Sequence, residues 1–309
     1  MATEEPLSAR ELQVACLGPD EAVVKRGLAE VRLAAPGIGA LLTRVVALAD
    51  GSRSLDDVVD AFPPEEQEEA REVVTTLRSR GLLRHDVGDD PVARFWASMA
   101  RLSPDGPGQV AKSAVLVTGT GRIAEALTRA LTACGVGRVE ARPTPAAGED
   151  GWDLWCAAAD GPADPALVDV ARRALEARAT LLPVWIDDLV IRVGPLTHPF
   201  DTACLRCYLM RTDSGDVWRE AHALLRAQRS PGAGFLPSLP TVAGEIAATE
   251  AVKHLAGLPV TACGRVIEVS LVPFHSAVRR VLRVPRCPDC SGTARQGAPV
   301  ISHGSQLVE

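Results

Sequence analysis

The sequence lacks several features that would assign it to a class at once. It has no apolar run long enough to cross a bilayer. Its amino terminus, MATEEPLSARE, has acidic residues where a signal peptide has a basic region and an apolar stretch. Basic charge is not in excess, since 39 acidic residues outnumber 33 basic ones and give a net charge of −6. We therefore expect a cytoplasmic protein that binds neither membrane nor nucleic acid.

Common catalytic patterns are also missing. The chain has no P-loop, no Ser/His/Asp arrangement and no C-x-x-x-R nucleophile loop, and its six histidines show no metal-ligand spacing. What remains is an ordinary globular composition, 47% apolar and 23% charged, in 309 residues. That length favours two domains. A Gly/Pro/Asp-rich stretch predicts the boundary, with domains at 1–90 and 111–290, a linker at 91–110 and a flexible tail at 291–309.

The first ninety residues predict a small winged-helix-like α+β domain. Alternating and β-rich segments predict three strands, and a short strand at Leu82–Arg84 would close the unit. Ser54, with Asp57 three residues later, predicts the start of a helix. The predicted strands before that closing strand are Leu12–Leu17, Ala22–Arg26 and Glu30–Leu33. The predicted helices are Gly37–Ala49, Ser54–Ala61 and one after Pro63-Pro64 that ends near Gly81.

The second half predicts a doubly wound α/β sheet of the Rossmann type. It begins with Ala114–Val117, an unbroken apolar strand typical of a buried parallel sheet, and then alternates strands with helices. Leu189–Val193 is expected to pair as a hairpin with the strand Leu181–Ile186, and two later strands, Arg265–Leu271 and Ala277–Val284, lead to the carboxyl-terminal cysteines.

Half of the eight cysteines stand in two C-x-x-C pairs, Cys204/Cys207 and Cys287/Cys290. A reducing cytoplasm disfavours disulfides, so paired cysteines indicate metal or redox chemistry. Four thiolates fit a tetrahedral structural Zn²⁺ site with no open position for a catalytic water. Thioredoxin-type redox chemistry at one pair is the alternative. The other four cysteines, in apolar contexts, are interpreted as packing residues.

A glycine loop follows the first strand of the second domain. Gly119 and Gly121 precede a helix, where glycines let a phosphate approach the helix amino terminus, and Glu140 lies where a ribose-binding acid would. The same glycines also serve tight strand-to-helix packing without a ligand. Asp160 follows a predicted strand and would hold Mg²⁺ in the first interpretation, or be an ordinary loop aspartate in the second.

Residues 110–290 resemble ThiF-like proteins, relatives of the ubiquitin-activating adenylyltransferases, which combine a glycine-turn sheet with a zinc bound by two C-x-x-C pairs. The similarity is closest to the ThiF-like partners of YcaO-type azoline cyclodehydratases, which act in the biosynthesis of ribosomal peptides with thiazoline and oxazoline rings. It rests on the segments Gly194-Pro195-Leu196, Thr202-Ala203-Cys204-Leu205-Arg206-Cys207 and Arg286-Cys287-Pro288-Asp289-Cys290, and on Trp218.

The first ninety residues resemble a PqqD-type peptide-recognition element in the order of their elements. The resemblance implies that a leader peptide adds as a strand beside Glu30, Val31, Arg32 and Leu33. The third helix, through Val73, Val74 and Leu77, would form one wall of the groove, and these residues also fit a core.

The resemblance implies a non-catalytic scaffold that presents a precursor peptide to a separate YcaO-type cyclodehydratase, with structural zinc and no ATP in this subunit. It also allows a homodimer. The chain departs from active adenylyltransferases, because its loop reads Gly119-Thr120-Gly121-Arg122 without a further glycine pair and it has only three lysines. Gly119, Gly121 and Asp160 are thus expected to be a vestigial nucleotide loop. The alternatives are an active ATP-dependent adenylyltransferase and a nucleotide- or NAD-binding regulator.

Overall fold

The computed structural model describes residues 6–146, 148–163, 165–199, 201–227 and 234–291. These residues form two compact units with the boundary between Pro104 and Asp105. The predicted tail 291–309 lies outside the described residues apart from Ser291. In the described ranges no helix combines the length and apolar character that a bilayer crossing requires.

Unit 1 contains a three-stranded antiparallel sheet in the order β2-β3-β4. These strands are β2 (Gln13–Gly18), β3 (Glu21–Arg26) and β4 (Ala29–Ala34). Two-residue turns connect them, and Gly27 in the second turn has a φ of +57°, a conformation that favours glycine. Ala22 and Val24 of the central strand are fully buried because alternate residues face the core. Strands β2 and β4 form the two edges of the sheet.

Helices cover this sheet and complete the core of unit 1. Helix α1 (Ile38–Leu48) buries a stripe that includes Leu42 and Val45. The remaining helices are α2 (Leu55–Asp60), α3 (Gln67–Ser79) and α4 (Pro91–Met99), and a two-stranded sheet pairs β1 (Leu7–Ser8) with β5 (Asp50–Arg53).

The amino terminus of α2 is a capping box, as the Ser54/Asp57 spacing predicts. The N–H of Asp57 donates to Ser54 Oγ at 3.2 Å, and the N–H of Ser54 donates to the Asp57 carboxylate at 3.0 Å. Two free N–H groups of the chain are thereby satisfied by side chains only three residues apart, which is why the sequence alone indicates this boundary.

Unit 1 differs from the sequence prediction in three places. The strand expected at Leu82–Arg84 is a single bridge between Arg84 and Ser8. Strand β5 follows α1 directly, where the sequence predicted only the end of the helix Gly37–Ala49. The sequence assigns residues 91–110 to a linker with a short packing helix at Phe95–Met99; that helix is α4, which begins earlier, at Pro91, and a helix of unit 2 begins in the same stretch. Asp90 caps α4 by accepting the N–H groups of Val92 and Ala93.

Unit 2 is a mixed α/β unit built on a seven-stranded sheet. Its strands are β6 (Ala114–Thr118), β7 (Arg138–Arg142), β8 (Leu154–Ala159), β9 (Leu181–Asp187), β10 (Val190–Val193), β11 (Arg265–Leu271) and β12 (Phe274–Arg280), and its helices are α5 (Gly106–Lys112), α6 (Arg122–Ala133), α7 (Pro165–Glu176), α8 (Leu205–Gly215), α9 (Arg219–Ala227) and α10 (Ser238–Leu255). The spatial order is β12-β11-β10-β9-β8-β6-β7.

The sheet has a parallel and an antiparallel part. Strands β7, β6, β8 and β9 are parallel, and β9 to β12 form an antiparallel meander. Leu116, Trp155 and Trp185 pack in one cluster with α7 and α8. Helix α10 packs closely on α6 at Gly244, where a Cβ would lie only 2.7 Å from Ala126 Cβ.

The chain order reverses beside β6, because β7 lies on one side of it and β8 on the other. In open α/β sheets a crevice forms at this point, outside the carboxyl ends of the strands. Gly119 follows β6 and Asp160 follows β8, so the fold brings the predicted loop residues to one place.

Candidate functional site

The four paired cysteines form one buried cluster in unit 2. Their Sγ atoms all lie within 4.8 Å of one another. Cys204 immediately precedes α8 and Cys207 lies in its first turn, while Cys287 and Cys290 follow β12. The Sγ–Sγ distances are 3.7 Å for Cys204–Cys207, 3.6 Å for Cys204–Cys287 and 3.5 Å for Cys207–Cys290. All four side chains are at most 2% exposed.

This geometry fits a tetrahedral thiolate site. Four sulfurs placed about 2.3 Å from a Zn²⁺ ion lie about 3.8 Å from one another, close to the distances in the cluster. Since four cysteines would fill the coordination sphere and exclude water, a bound ion would have a structural role. The described residues contain no other group of three or more metal-binding side chains at such close range.

The thiols of the cluster do not ionise alike. A hydrogen bond from Cys204 lowers the pKa of the Cys207 thiol to about 4, burial opposes this, and the N–H of Val284 donates to the same sulfur at 3.3 Å. The hydrogen bond between Cys204 and Cys207, together with burial, raises the pKa of the Cys204 thiol. Burial raises the pKa of the Cys290 thiol to about 11. A divalent cation would favour the thiolate form of every ligand.

Contacts around the cluster connect α8 to the segment after β12. Arg211 of α8 donates to the backbone carbonyls of Leu282 and Arg283, and Arg283 donates to the carbonyl of Cys290 at 3.0 Å. Tyr208 packs edge-on against Trp185 with ring centroids 5.7 Å apart. The cluster therefore fastens α8 to the end of the antiparallel meander. Nothing in the sequence marked Arg211 or Arg283, since their acceptors are backbone atoms remote in the chain.

A buried carboxylate supports α8 from the sheet. Glu268 Oε1 accepts the Tyr208 hydroxyl at 3.2 Å, and Oε2 accepts the Arg279 Nε–H at 2.5 Å. Arg192 lies 3.7 Å from Oε1. Because Glu268 is only 7% exposed, these partners compensate the removal of its carboxylate from water.

The structure brings Gly119, Gly121 and Asp160 together at the crevice. Asp160 accepts the N–H of Arg122 at 2.6 Å and that of Ile123 at 2.9 Å. A Cβ at Gly121 would lie 2.4 Å from the Asp160 carboxyl carbon. Gly119 has a φ of +124°, and its Cβ would lie 2.3 Å from the Ala158 carbonyl oxygen. The two glycines thus leave room near the amino terminus of α6 for the Asp160 carboxylate and the Ala158 carbonyl.

A cavity of 380 Å³ lies beside this loop, and Glu125 and Arg129 line it with Thr128, Ala141 and the glycine loop. Glu140, which the sequence suggested for a ribose, pairs with Arg138 and Arg142, each at 2.5 Å. The helix N–H groups, which would bind a phosphate, already bind Asp160. Two features that a nucleotide would use are therefore engaged within the protein.

The predicted peptide-binding strand residues lie on β4, at an edge of the unit 1 sheet. Glu30 and Arg32 are exposed, and Val31 and Leu33 are half-buried against the core. Within the described residues no strand pairs with the outer side of β4. Arg32 pairs with Glu21, and Glu30 lies 3.8 Å from Lys25, both across to β3. The edge is thus a backbone surface able to accept a further strand.

The predicted wall residues of α3 lie in the core. Val73 is 7% exposed, and Val74 and Leu77 are fully buried, because the 73, 74, 77 spacing places them on the inward face of the helix. They join the same core cluster as Val31 and Leu33. A role for them in binding a peptide stays a prediction, whereas their role in packing is observed.

Comparisons with known proteins concern the fold. No protein-family model and no curated protein sequence matches the chain. A structure of a heterocyclase in complex with substrate and cofactor matches 93% of this chain, with a TM-score of 0.72 and 23% identity. The heterocyclase TruD matches 93% with a TM-score of 0.70 and 21% identity. The microcin C7 biosynthetic enzyme MccB, in complex with N-formylated MccA, matches 92% with a TM-score of 0.68 and 12% identity.

These similarities show a shared fold across both units. The chain spans about two-fifths of the heterocyclases' length, 39% and 43% of the two chains, and 99% of the MccB chain. The two heterocyclase chains are therefore much longer than the part of them that resembles this chain.

Proposed function

We propose that this chain binds the leader segment of a ribosomal precursor peptide and presents the rest to a YcaO-type cyclodehydratase, which forms thiazoline or oxazoline rings. One observation carries the proposal: the chain has, over 93% of its length, the fold of a heterocyclase whose structure contains substrate. The matched region is 39% of that chain, and we assign the chemistry of the remainder to a separate partner.

The free edge of β4 supports peptide capture. A bound peptide would continue the β2-β3-β4 sheet, so backbone hydrogen bonds would supply affinity and contacts with Arg32 and Glu30 would supply selectivity. Because the captured leader tethers the rest of the peptide, one binding event would raise the local concentration of several reacting side chains.

The α/β unit supports a scaffold role over catalysis. The four cysteines leave no open coordination position for a bound Zn²⁺ to activate water. At the crevice, the Asp160 carboxylate takes the N–H groups that would bind a phosphate. We therefore assign zinc a structural role and assign the use of ATP to the YcaO-type partner. A cytoplasmic location would keep the thiols reduced. The resemblance to ThiF-like proteins also allows two copies of the chain to associate.

An ATP-dependent adenylyltransferase is the second candidate. The observation that favours it is the resemblance to the biosynthetic enzyme MccB over 99% of that chain. An ATP–pyrophosphate exchange assay separates the two functions. Exchange that depends on peptide, without any YcaO-type protein, would exclude the scaffold assignment.

A binding experiment tests peptide capture. Labelled leader segments of precursor peptides encoded beside the gene are titrated with the full chain and followed by fluorescence polarisation. The Arg32→Glu and Ala15→Glu variants form a matched pair, because both residues are exposed and lie opposite Val23, one on each edge of the sheet. We expect Arg32→Glu to change the affinity at least tenfold and Ala15→Glu to leave it unchanged.

A modified ligand makes the test sharper. N-methylation of alternate residues removes backbone donors from the peptide and should abolish binding if the peptide adds as a strand. Unchanged affinity for the methylated peptide, or equal effects of the two variants, would place the binding site away from β4. Loss of one water per ring in the presence of the YcaO-type protein would then establish the second half of the proposal.

A further inference from the structure

The two faces of strand β4 differ in chemistry along its free edge. Ala29, Val31 and Leu33 are half-buried on the side of the sheet that packs on the core of unit 1. Glu30 and Arg32 are exposed on the opposite side, as the strand period of two requires. A peptide strand beside β4 would meet both faces, so its own side chains must alternate in the same way.

The charges on the outer face of the sheet are paired across to β3. Glu30 lies opposite Lys25, with 3.8 Å between the carboxylate and the ammonium group. Arg32 lies opposite Val23 and pairs diagonally with Glu21. The side chains of Glu30 and Arg32 are still 59% and 71% exposed. A carboxylate accepts several hydrogen bonds and a guanidinium group donates five, so each retains capacity for a second partner on its free side.

The residues that a peptide places beside Glu30 and Arg32 decide the electrostatic contribution to binding. Opposite charges directly across a strand pair are favourable, and like charges are unfavourable. A basic residue therefore fits beside Glu30 and an acidic residue beside Arg32, two positions apart on the peptide. The peptide residues before, between and after these two turn inward, where apolar side chains would cover the exposed surface of Leu33, Val31 and Ala29.

The order of the two charges depends on the direction of the added strand. The sheet β2-β3-β4 is antiparallel throughout, and antiparallel pairing is slightly more stable per residue than parallel pairing. A peptide antiparallel to β4 passes Leu33 first and Ala29 last. Its acidic residue, beside Arg32, would then precede its basic residue, beside Glu30.

We propose that the precursor segment bound at β4 has the pattern apolar–acidic–apolar–basic–apolar, read from its amino terminus, with the acidic residue beside Arg32 and the basic residue beside Glu30. The inference rests on the proposed function, because it names the class of peptide that this edge accepts. It adds which side chains the peptide must carry and in which order.

Charge-reversal cycles test the pattern. The leader segment that binds the full chain is first scanned with alanine to locate the residues that carry the affinity. Arg32→Glu and Glu30→Lys are then each combined with the opposite reversal at the acidic or the basic residue of the peptide. We expect each single reversal to weaken binding about tenfold, and each matched pair of reversals to restore the affinity to within about threefold. Restored affinity also shows that the variant chain is folded.

Mismatched combinations are the control. Arg32→Glu with the peptide reversed at its basic residue should give no restoration, because these two positions do not face each other. The restoration should also become smaller as salt is raised from about 50 mM to about 500 mM, since exposed charges are screened. Replacing an inward apolar residue of the peptide by serine should weaken binding equally at both salt concentrations.

The possible outcomes separate this inference from the proposed function. If a leader segment binds but lacks the pattern, or carries the basic residue first, the inference is overturned while peptide capture stands. The same holds if matched reversals restore no more affinity than mismatched ones. If no leader segment binds the chain, the proposed function fails and the inference fails with it.

Discussion

The Asp160 carboxylate fills the space in which a side chain at Gly121 would stand, with the carboxyl carbon 2.4 Å from the position of a Cβ. Asp160 follows β8 and Gly121 immediately precedes α6, so two groups in direct contact are 39 positions apart in the sequence. The Asp160 carboxylate thus explains why residue 121 is a glycine, since it leaves no room there for a side chain. A phosphate ligand is not needed to account for it.

Gly121→Ala should therefore destabilise unit 2. The added methyl group must displace the carboxylate that caps α6, and overpacking of this kind costs about 1–3 kcal/mol. Asp160→Ala should cost about 1 kcal/mol through the lost cap. The double variant should be more stable than the sum of the two losses predicts, because removing the carboxylate makes room for the methyl group. Urea unfolding of the wild type and three variants, followed by tryptophan emission, measures this coupling.

ATP should not stabilise the folded chain. The N–H groups of Arg122 and Ile123 are bound to Asp160, and the negative charge there repels phosphate. A ligand at a hundredfold excess over its dissociation constant would add about 2.7 kcal/mol to the free energy of unfolding. We expect the melting temperature to stay constant as Mg²⁺ and ATP are added. A rise that depends on ATP concentration and is altered in Asp160→Ala would show that the crevice binds a nucleotide.

Zinc should be present at one ion per chain, and Cys287→Ser should remove it. The variant should lower the stability of unit 2 by more than about 3 kcal/mol, since metal binding in such sites is coupled to folding. Cys263→Ser is the control, because Cys263 is exposed and lies outside the cluster. Elemental analysis and thermal unfolding give the two readouts. A folded chain without metal, or equal zinc contents in the two variants, would contradict the assignment.

Acid should destabilise unit 2 through His254. Burial, and then the neighbouring His198, lower the pKa of His254 to about 4, while Asp153 acts in the opposite direction. The imidazole rings of His198 and His254 lie 5.1 Å apart. In the unfolded chain the group titrates near 6.5, so the unfolded state binds more protons between these values, and stability falls as the pH drops from about 6.5 to 4.

The loss attributable to His254 is at most about 3 kcal/mol. His254→Gln should flatten the dependence of the urea midpoint on pH in this window. His275→Gln is the control, because His275 is exposed on β12 and lies away from His254. If both variants keep the full slope, other groups account for acid sensitivity.

Local patterns predicted much of this structure. The capping box at Ser54 and Asp57, the hairpin of β9 and β10 and the parallel start of unit 2 are each determined by residues near one another in the sequence. The four cysteines were also predicted to meet, because two C-x-x-C pairs in a chain expected to be cytoplasmic indicate a metal or redox site. Their close approach is confirmed, whereas the zinc ion stays a prediction.

Contacts between distant residues could not be predicted in this way. The β1–β5 pairing, the approach of Asp160 to Gly121 and the support of Tyr208 by Glu268 each join parts of the chain with no shared periodicity. Strand β12 was expected at Ala277–Val284 and lies at Phe274–Arg280, because its pairing with β11, not its own alternation, sets its ends. The α3 residues predicted to line a peptide groove show the opposite limit, since one helical stripe predicts a core and a groove equally well.

Tyr208 is the single tyrosine of the chain, and it follows the cluster cysteine Cys207 directly. Its hydroxyl donates to Glu268 and its ring contacts Trp185, while burial raises the pKa of the phenol above its usual value. Tyrosinate absorbance at alkaline pH therefore arises from Tyr208 alone, next to the cysteine cluster that connects α8 to the antiparallel meander. The absorbance of this one tyrosine therefore reports loss of the cysteine cluster in the unlabelled protein.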